Sequence, residues 1–252
     1  MTPERVLVIT GAGISAESGI PTFRGKTGYW RNLHPAKLAT PEAFGRDPEL
    51  IWEWYHERRA RIRLARPNQA HEAITRLSNH IPEFLLVTQN VDNLHARAEA
   101  DAQRLSAQRI VQVHGDIFLT RCSRCEHAYR ELDEDPPGVP ECTQCGAPMR
   151  PGVVWFGEML NPTQISRVET FLDGGACDAV LVIGTTAIFG YIIDWALRAA
   201  TDRAQLIEVN PDETVLSRHT TKSFRQPAGE VLPDLVNDLI RADSPTAPTL
   251  HH

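Results

Sequence analysis

The stretch that decides the fold is Arg5-Val6-Leu7-Val8-Ile9-Thr10-Gly11-Ala12-Gly13-Ile14-Ser15-Ala16. It begins as an apolar run of strand length and continues directly into the pattern G-x-G-x-x-A. Glycines at the first and third positions of this pattern permit a tight turn and let the backbone approach a pyrophosphate at the start of a helix. The stretch therefore predicts the first strand of a parallel α/β sheet, with a phosphate-binding loop at its carboxyl end.

The rest of the chain alternates between strand-like and helix-like segments. Further apolar runs of strand length are Glu83–Thr88, Arg109–Val113, Asp178–Ile183 and Gln205–Val209, and helical spacing covers Pro48–Leu64, Asn68–Ser78, Pro162–Leu172, Ile192–Ala200 and Glu230–Ile240. This alternation predicts a Rossmann-like, doubly wound parallel sheet. Ligands of such sheets bind at the carboxyl ends of the strands. Those ends carry Gly11-Ala12-Gly13, Gln89-Asn90-Val91-Asp92, His114, Gly184-Thr185-Thr186 and Glu208-Val209-Asn210, so one pocket should collect them.

One expected residue of a dinucleotide site is missing. An ordinary dehydrogenase has an Asp or Glu about 20 residues after the glycine loop, where it holds the ribose hydroxyls. This chain has instead the basic and aromatic segment Pro21–Arg31, which contains glycines and no acid. Such a loop could close over a dinucleotide, with Arg24 near a phosphate and Phe23 against a nicotinamide ring. The alternative is a plain surface loop.

Four cysteines have the spacing of a metal site. Cys122, Cys125, Cys142 and Cys145 read C-x2-C-x16-C-x2-C, a pattern that lets four thiolates converge on zinc. Four sulfur ligands leave no open position for water, so this zinc should stabilise a small module and take no part in chemistry. Four unrelated free or disulfide-bonded cysteines are the alternative. The fifth, Cys177, has no nearby pair and reads as a buried thiol.

Size and charge exclude several classes of protein. The chain has 252 residues, 42% of them hydrophobic, which suits one large domain with a small insert. We expect the larger domain at 1–114 and 151–241, the zinc-ribbon module at 115–150 and a flexible tail at 242–252.

The net charge is -6, and 121–150 carries four arginines against six acids, so a nucleic-acid partner is not expected. No run reaches the ~18 apolar residues of a membrane span, and Met1–Arg5 shows no signal-peptide pattern, so we expect a cytoplasmic protein without membrane partners.

The order of the motifs resembles that of the sirtuin family. The resemblance rests on Gly11–Gly25, Gln89-Asn90-Val91-Asp92, Val113-His114-Gly115, the cysteine quartet and Trp155-Phe156-Gly157-Glu158, and it covers nearly the whole chain. It implies an NAD-consuming protein-lysine deacylase with a large Rossmann-like domain, a small zinc domain, and acyl-lysine proteins or peptides as partners. A monomer is favoured. Where many sirtuins carry a proline soon after the Gly-Thr-Ser element, this chain has none, which puts the start of the following helix in doubt.

Site residues follow from the resemblance, position by position. It assigns the pyrophosphate and the flexible cofactor loop to Gly11, Ala12, Gly13, Ile14, Thr22, Phe23 and Arg24. Gln89, Asn90 and Asp92 would line the nicotinamide and ribose site, and Gly184, Thr185, Thr186, Asn210 and Ala228 would hold the adenosine half. Val154, Trp155, Phe156, Gly157 and Glu158 would offer an exposed backbone edge to an extended peptide. His114 resembles the catalytic histidine, and its ordinary pKa of about 6.5 suits a general base. The other histidines, including His71 and His95, are expected to be solvated.

A further set of residues bears on the acyl group. Tyr55 and Arg58 are three residues apart, so they share a helix face, and a phenol with a guanidinium can bind a carboxylate. A surface stacking pair is the alternative. With Ala39 they resemble class III sirtuins, in which a small residue widens the pocket and the Tyr and Arg hold the carboxylate of succinyl- or malonyl-lysine. The resemblance therefore predicts a desuccinylase or demalonylase with secondary deacetylation, which releases nicotinamide and O-acyl-ADP-ribose.

Other functions remain open at this stage. The chain could be mainly a deacetylase, or it could transfer ADP-ribose to protein through the same activated ribose carbon. An NAD-dependent dehydrogenase is opposed by the missing acid, and it would produce NADH where a sirtuin releases nicotinamide. A noncatalytic zinc-dependent interaction module would leave His114 and the Gln89–Asp92 motif unexplained.

Overall fold

The structure is a computed structural model, and it describes residues 2–22, 34–201 and 204–241. In chain order the strands are β1 (Arg5–Thr10), β2 (Glu83–Thr88), β3 (Glu99–Ala100), β4 (Gln103–Arg104), β5 (Ile110–Gln112), β6 (Gly115–Cys122), β7 (Ala128–Arg130), β8 (Met149–Val153), β9 (Ala179–Ile183), β10 (Gln205–Val209) and β11 (Lys222–Phe224). The α-helices are α1 (Pro35–Leu38), α2 (Pro41–Arg46), α3 (Pro48–Leu64), α4 (Gln69–His80), α5 (Leu94–Arg97), α6 (Pro162–Asp173), α7 (Gly190–Ala199) and α8 (Ala228–Arg241).

Six strands form the main sheet in the order β11-β10-β9-β1-β2-β5, and every pair is parallel. Numbered along the chain, this is the 3-2-1-4-5-6 order of the Rossmann fold read from the other edge. The predicted Rossmann-like, doubly wound sheet is confirmed. The strand order reverses between β1 and β9, so the crevice that such sheets use for ligands lies between the loops after these two strands.

Helices cover both faces of the main sheet. On one face, α4 and α8 pack against alternate residues of β1, with Ile74, Leu77 and Leu232 fully buried. On the other face, α6 and α7 pack against the remaining side chains of the same strand, around Val168 and Ile192. Because both faces are covered, the central strands are apolar at nearly every position, as the sequence of β1 shows.

Local sequence signals fix where the helices begin. The side chain of Asp47 accepts a hydrogen bond from the backbone N–H of Leu50, and Pro48 occupies the first position of α3. Asn68 caps α4 in the same way, and Asn161 caps α6. An Asp or Asn cap satisfies backbone donors that a helix start would otherwise leave unpaired, and proline at the first position loses no hydrogen bond. These signals explain why the helix starts predicted from the sequence lie within two residues of the observed ones.

A second, antiparallel sheet of order β7-β6-β8 carries the cysteines. Helices α1–α3 pack against it, and Trp52, Tyr55, Ile117 and Trp155 lie in one buried cluster. Arg59 of α3 is fully buried, and its guanidinium donates to the backbone oxygens of β6 residues 117 and 119.

The second sheet crosses the expected domain division in two places. Strand β8 crosses the expected boundary at 150, and α1–α3, which the sequence assigned to the larger domain, contact the small sheet. The two-domain division stays a prediction, and the expected tail at 242–252 lies outside the described residues. In the described part of the chain, no helix combines the length and the apolar character that crossing a membrane requires.

Candidate functional site

The glycine loop after β1 is hydrogen-bonded to the end of β9 and the loop after it. The N–H of Gly13 donates to the Gly184 oxygen over 2.8 Å, and the N–H of Gly11 donates to the Ile183 oxygen over 3.0 Å. A Cβ on Gly13 would lie 2.7 Å from the Gly184 Cα, which no real side chain tolerates. Glycine is therefore required here for the two strand-end loops to meet at the switch point. The loop continues into a 3-10 helix, Ala12–Ser18, in which Ile14 is fully buried.

The Gln89–Asp92 segment lies beside this junction. The Gln89 side-chain amide donates to the Thr185 hydroxyl over 2.9 Å. Ser15 donates its hydroxyl to Asp92 over 2.7 Å, and the Asn90 side chain donates to Ser15 over 3.1 Å. Ser15 thus links Asn90 to Asp92, a role that the glycine motif alone does not indicate.

Asp92 is held in a buried position. Burial raises the pKa of its carboxyl, while hydrogen bonds from the Leu94 backbone and Ser15 and the charges of Arg97 and Arg58 oppose that rise. Each of these groups favours the carboxylate over the acid. A buried carboxylate surrounded by donors is a fixed acceptor, and it can orient a cofactor or a water molecule.

His114 lies between β5 and β6, at the edge where the sheet strands end. Its Nδ1 is 3.0 Å from the Gln89 backbone oxygen, and its Nε2 is 2.7 Å from the Tyr191 hydroxyl. The edge of the ring faces Phe189, with the ring centroids 5.6 Å apart. Burial lowers the pKa of His114, and the Gln89 oxygen partly opposes this. A histidine with a lowered pKa is neutral at pH 7, which is the state a general base needs.

The residues predicted for the adenosine half lie at the ends of β9 and β10. Thr185 and Asn210 are buried, Thr186 is half-buried, and Ala228 is buried at the start of α8. The Asn210 side chain donates to the Asp212 oxygen over 2.8 Å, which shapes the turn after β10. Thr22 is the last described residue before a gap. Phe23 and Arg24, predicted to contact the cofactor, lie outside the described residues.

The three residues predicted to select the acyl group lie in one cluster. Ala39, Tyr55 and Trp155 are buried together. Trp155 donates its indole N–H to the Tyr55 hydroxyl over 2.9 Å, and the Arg58 guanidinium lies 5.4 Å from the centre of the same tyrosine ring. The Arg58 guanidinium also lies 4.8 Å from the Trp54 ring centre and acts electrostatically on Asp92. Arg58 therefore lies close enough to Asp92 to act on its charge.

The predicted peptide-binding edge, Val154–Glu158, differs from the expectation. The segment is not an extended edge, because it turns at Gly157, where φ is +85°. The N–H of Val154 donates to the His114 oxygen, that of Phe156 to the Ala39 oxygen, and that of Trp155 to the Glu158 carboxylate. Most of the backbone donors that the expected exposed edge would offer are already used, and they tie the segment to His114 and Ala39.

The cysteine quartet is assembled as predicted. All four sulfurs lie within 4.8 Å of one another, and the Cys122–Cys145 and Cys125–Cys142 sulfur pairs are 3.4 and 3.6 Å apart. These distances are too long for disulfides, whose sulfurs are about 2.05 Å apart. They approach the separation of about 3.8 Å that tetrahedral zinc with Zn–S bonds of about 2.3 Å imposes. Backbone N–H groups of Arg124 and Cys125 also donate to the Cys122 sulfur, which favours a thiolate. The donor set fits structural zinc.

Two histidines are placed differently from the expectation. His71 and His95 were predicted to be solvated, but they are 0% and 3% exposed, and their rings lie 4.7 Å apart. His71 completes the capping box of α4 with Asn68, and His95 Nε2 contacts the Thr10 hydroxyl over 3.0 Å. His71 is buried because it lies on the inward face of α4, among Ala70 and Ile74. Cys177 is a buried thiol as predicted, and burial raises its pKa to about 11.

The fold and the site together define an α/β protein of the dinucleotide-binding class with an added tetrathiolate module. The Sir2 family model matches residues 11–189. An NAD-dependent protein deacylase of Aquifex aeolicus is 41% identical over 224 residues, which cover 88% of this chain and 90% of that protein. The solved structure of a Sir2 homolog–NAD complex superimposes with a TM-score of 0.85 at 39% identity, covering 96% and 91% of the two chains. A mutant Sir2 homologue in complex with 2′-O-acetyl ADP ribose also has a TM-score of 0.85, at 38% identity and 96% and 94% coverage. The chain belongs to the Sir2 family, and the predicted sirtuin resemblance is confirmed.

Proposed function

We propose that this protein is an NAD-dependent protein-lysine deacylase that prefers succinyl- and malonyl-lysine and also removes acetyl groups. The deacylase activity is supported by the family and by the names of its relatives. The acyl preference is supported by one observation, the Tyr55–Arg58–Trp155 cluster. Its products would be nicotinamide, the free lysine and O-acyl-ADP-ribose.

The hydrogen bonds of Tyr55 explain why an acidic acyl group fits. Its hydroxyl accepts one bond from the Trp155 indole, which can only donate, and the Arg58 guanidinium lies 5.4 Å from the centre of its ring. The proton of the hydroxyl therefore points to another partner. A carboxylate is the partner that can take this proton and accept from the guanidinium together.

The position of the cluster supports a role in binding the acyl-lysine. Ala39 and Trp155 belong to the same buried cluster as Tyr55. Arg58 is close enough to Asp92 to lower the pKa of its carboxyl. The acyl end would lie between the small sheet and the Gln89–Asp92 segment. Phe156 and Met159, 47% and 88% exposed, would give a peptide an apolar surface beside this entrance. Acyl-lysine peptides remain the proposed partners.

The cofactor residues fit NAD. When bound, NAD would supply an electrophilic ribose carbon to the amide oxygen of the acyl-lysine once nicotinamide leaves. The N–H groups of Gly11 and Gly13 are used by the Ile183 and Gly184 oxygens, so the Ala12 N–H between them would meet the pyrophosphate. Thr185, Thr186, Asn210 and Ala228 would hold the adenosine half. Asn90 and Asp92, fixed through Ser15, would orient the ribose and the nicotinamide.

His114 would act as the general base. The Gln89 carbonyl can only accept, so Nδ1 carries the proton and Nε2 carries the lone pair. Nε2 would accept the proton of a ribose hydroxyl and so make that oxygen a better nucleophile. Burial lowers the pKa of the ring and so keeps the base neutral at pH 7.

A peptide panel tests the proposal directly. Acetyl-, malonyl- and succinyl-lysine forms of one peptide are incubated with NAD, and kcat/KM is measured from nicotinamide release. We expect succinyl- and malonyl-lysine to exceed acetyl-lysine, with no NADH absorbance. His114→Ala should abolish turnover while the protein stays folded and binds NAD. A preference for acetyl-lysine would reject the acyl assignment alone. ADP-ribose attached to protein without deacylation would reject the deacylase assignment.

A further inference from the structure

Tyr191 contacts the one atom of His114 that the reaction uses. Its hydroxyl lies 2.7 Å from His114 Nε2, the shorter of the two hydrogen bonds that the ring makes. Tyr191 follows the Gly184-Thr185-Thr186 element, in the segment where the sequence lacks the proline found in many sirtuins. Neither the sequence motifs nor the roles assigned above give this side chain a function.

The direction of this hydrogen bond follows from the other side of the ring. Because Nδ1 donates to the Gln89 oxygen, the neutral imidazole has its lone pair on Nε2. The Tyr191 hydroxyl must therefore be the donor to Nε2. Burial raises the pKa of Tyr191 to about 12, so the phenol keeps its proton near neutral pH. The lone pair that a base needs is thus covered by a phenol proton.

The surroundings hold the phenol in this place. The Tyr191 ring stacks on Phe189, with centroids 5.5 Å apart and planes 13° apart, and it packs against Trp195 at 5.1 Å. The two rings lie at the start of α7, and Phe189 contacts the imidazole edge. Tyr191 and Phe189 are half-buried and pack against the edge of the buried core.

We propose that Tyr191 is a positioning residue of the reaction: its hydroxyl fixes His114 in the Nδ1–H tautomer and covers Nε2 until a ribose hydroxyl takes its place. This inference rests on the proposed role of His114 as the base. The tyrosine competes with the substrate hydroxyl for the same lone pair. It also opposes protonation of His114, because once Nε2 carries a proton the hydroxyl must turn to accept from it, and the phenol proton loses its hydrogen bond.

The electrostatic setting of His114 makes this contact measurable. In the described part of the chain, Tyr191 is the titratable group in contact with the ring. Burial and the Gln89 oxygen account for the direction in which the pKa of His114 is shifted, with no carboxylate or guanidinium contributing. A change at Tyr191 should therefore appear directly in the titration of His114.

Tyr191→Phe tests the inference, since it keeps the ring stack and removes only the hydroxyl. In protein without NAD, we expect an NMR titration to show the pKa of His114 higher by about half a unit to one unit than in the wild type. At pH 8, where the histidine is neutral in both proteins, kcat/KM for NAD should rise by about two- to tenfold. The acid limb of the pH profile should move upward with the NMR value. Tyr129→Phe, which removes a phenol hydroxyl in the zinc-binding sheet, serves as the matched control and should change neither quantity.

The outcomes separate this inference from the proposed function. A His114 pKa that is unchanged or lower in Tyr191→Phe would overturn the inference, and so would an unchanged or reduced kcat/KM with an unaltered thermal unfolding temperature. The His114→Ala/Tyr191→Phe double variant should show no gain over His114→Ala. If His114→Ala alone keeps normal turnover, the base assignment fails, while the NMR titration still reports whether Tyr191 covers Nε2.

Discussion

Replacing Arg58 with methionine tests the acyl pocket most directly. The change keeps an unbranched side chain in α3 and removes the guanidinium that contacts Tyr55 and acts on Asp92. A hydrogen bond to a charged group contributes about 1.5–3 kcal/mol. Since about 1.4 kcal/mol is a factor of ten in rate, kcat/KM for succinyl-lysine should fall by about ten- to a hundredfold or more.

Two side effects of the substitution act on every substrate alike. Arg58 lies over the Trp54 ring at 4.8 Å, and loss of such a cation–π contact costs about 0.5–1 kcal/mol of stability. Arg58 also lowers the pKa of Asp92, so its removal lets that pKa rise. Both effects cancel in the ratio of succinyl to acetyl kcat/KM. That ratio is therefore the quantity to measure, because acetyl-lysine has no distal carboxylate to lose a partner.

The assay uses one peptide in its acetyl and succinyl forms at saturating NAD, with nicotinamide release as the readout. Arg61→Met is the matched control, since Arg61 is exposed on the same helix and undergoes the same chemical change. The ratio should drop at least tenfold in Arg58→Met and stay constant in Arg61→Met. An equal loss for both peptides would mean that Arg58 is only structural, and the carboxylate-binding argument would be refuted.

Three further predictions concern stability. Removal of zinc by a chelator, or Cys142→Ser, should unfold the small sheet while the main sheet keeps its secondary structure; metal analysis that finds no zinc near one equivalent would contradict this. Burial holds the pKa of His71 at about 3 and that of His95 well below its ordinary value, so the unfolded chain binds more protons below pH 6.5. The free energy of unfolding should then fall by about 1 kcal/mol per histidine for each pH unit below 6.5. Denaturant titrations at pH 7 and pH 5.5 measure this fall, and equal free energies of unfolding at the two pH values would contradict the prediction. Gly13→Ala should cost about 1–3 kcal/mol and weaken NAD binding, because the new Cβ would meet Gly184; a calorimetric melting temperature equal to wild type would rule this out.

Much of the fold follows from local patterns. The apolar run of β1 and the caps Asp47, Asn68 and Asn161 predict where strands and helices lie, because propensity, capping and periodicity act over a few residues. The cysteine spacing predicts the metal-type cluster because two hairpin-like pairs can meet in few ways.

What the sequence could not predict depends on contacts between distant segments. Nothing in α3 alone indicates that Arg59 is buried and bonded to β6, since a guanidinium is usually exposed. The Glu158 carboxylate closes the Val154–Glu158 turn through the Trp155 N–H, which a strand-like reading of that segment misses. Tyr191 could be found only by its distance to His114, although the missing proline marked its segment as unusual.

The central place of β1 has a consequence for how the chain folds. One edge of β1 pairs with β2, but on the other edge Val6 pairs with Ala179 and Thr10 with Ile183, so that edge has no partner until most of the polypeptide is made. Closing so long a loop costs entropy before any contact repays it, and parallel pairing of this kind folds slowly. During synthesis the glycine loop therefore emerges early but stays without its support from Gly184 until β9 has left the ribosome. The glycine loop therefore reaches its final structure late in folding, although its motif lies near the start of the sequence.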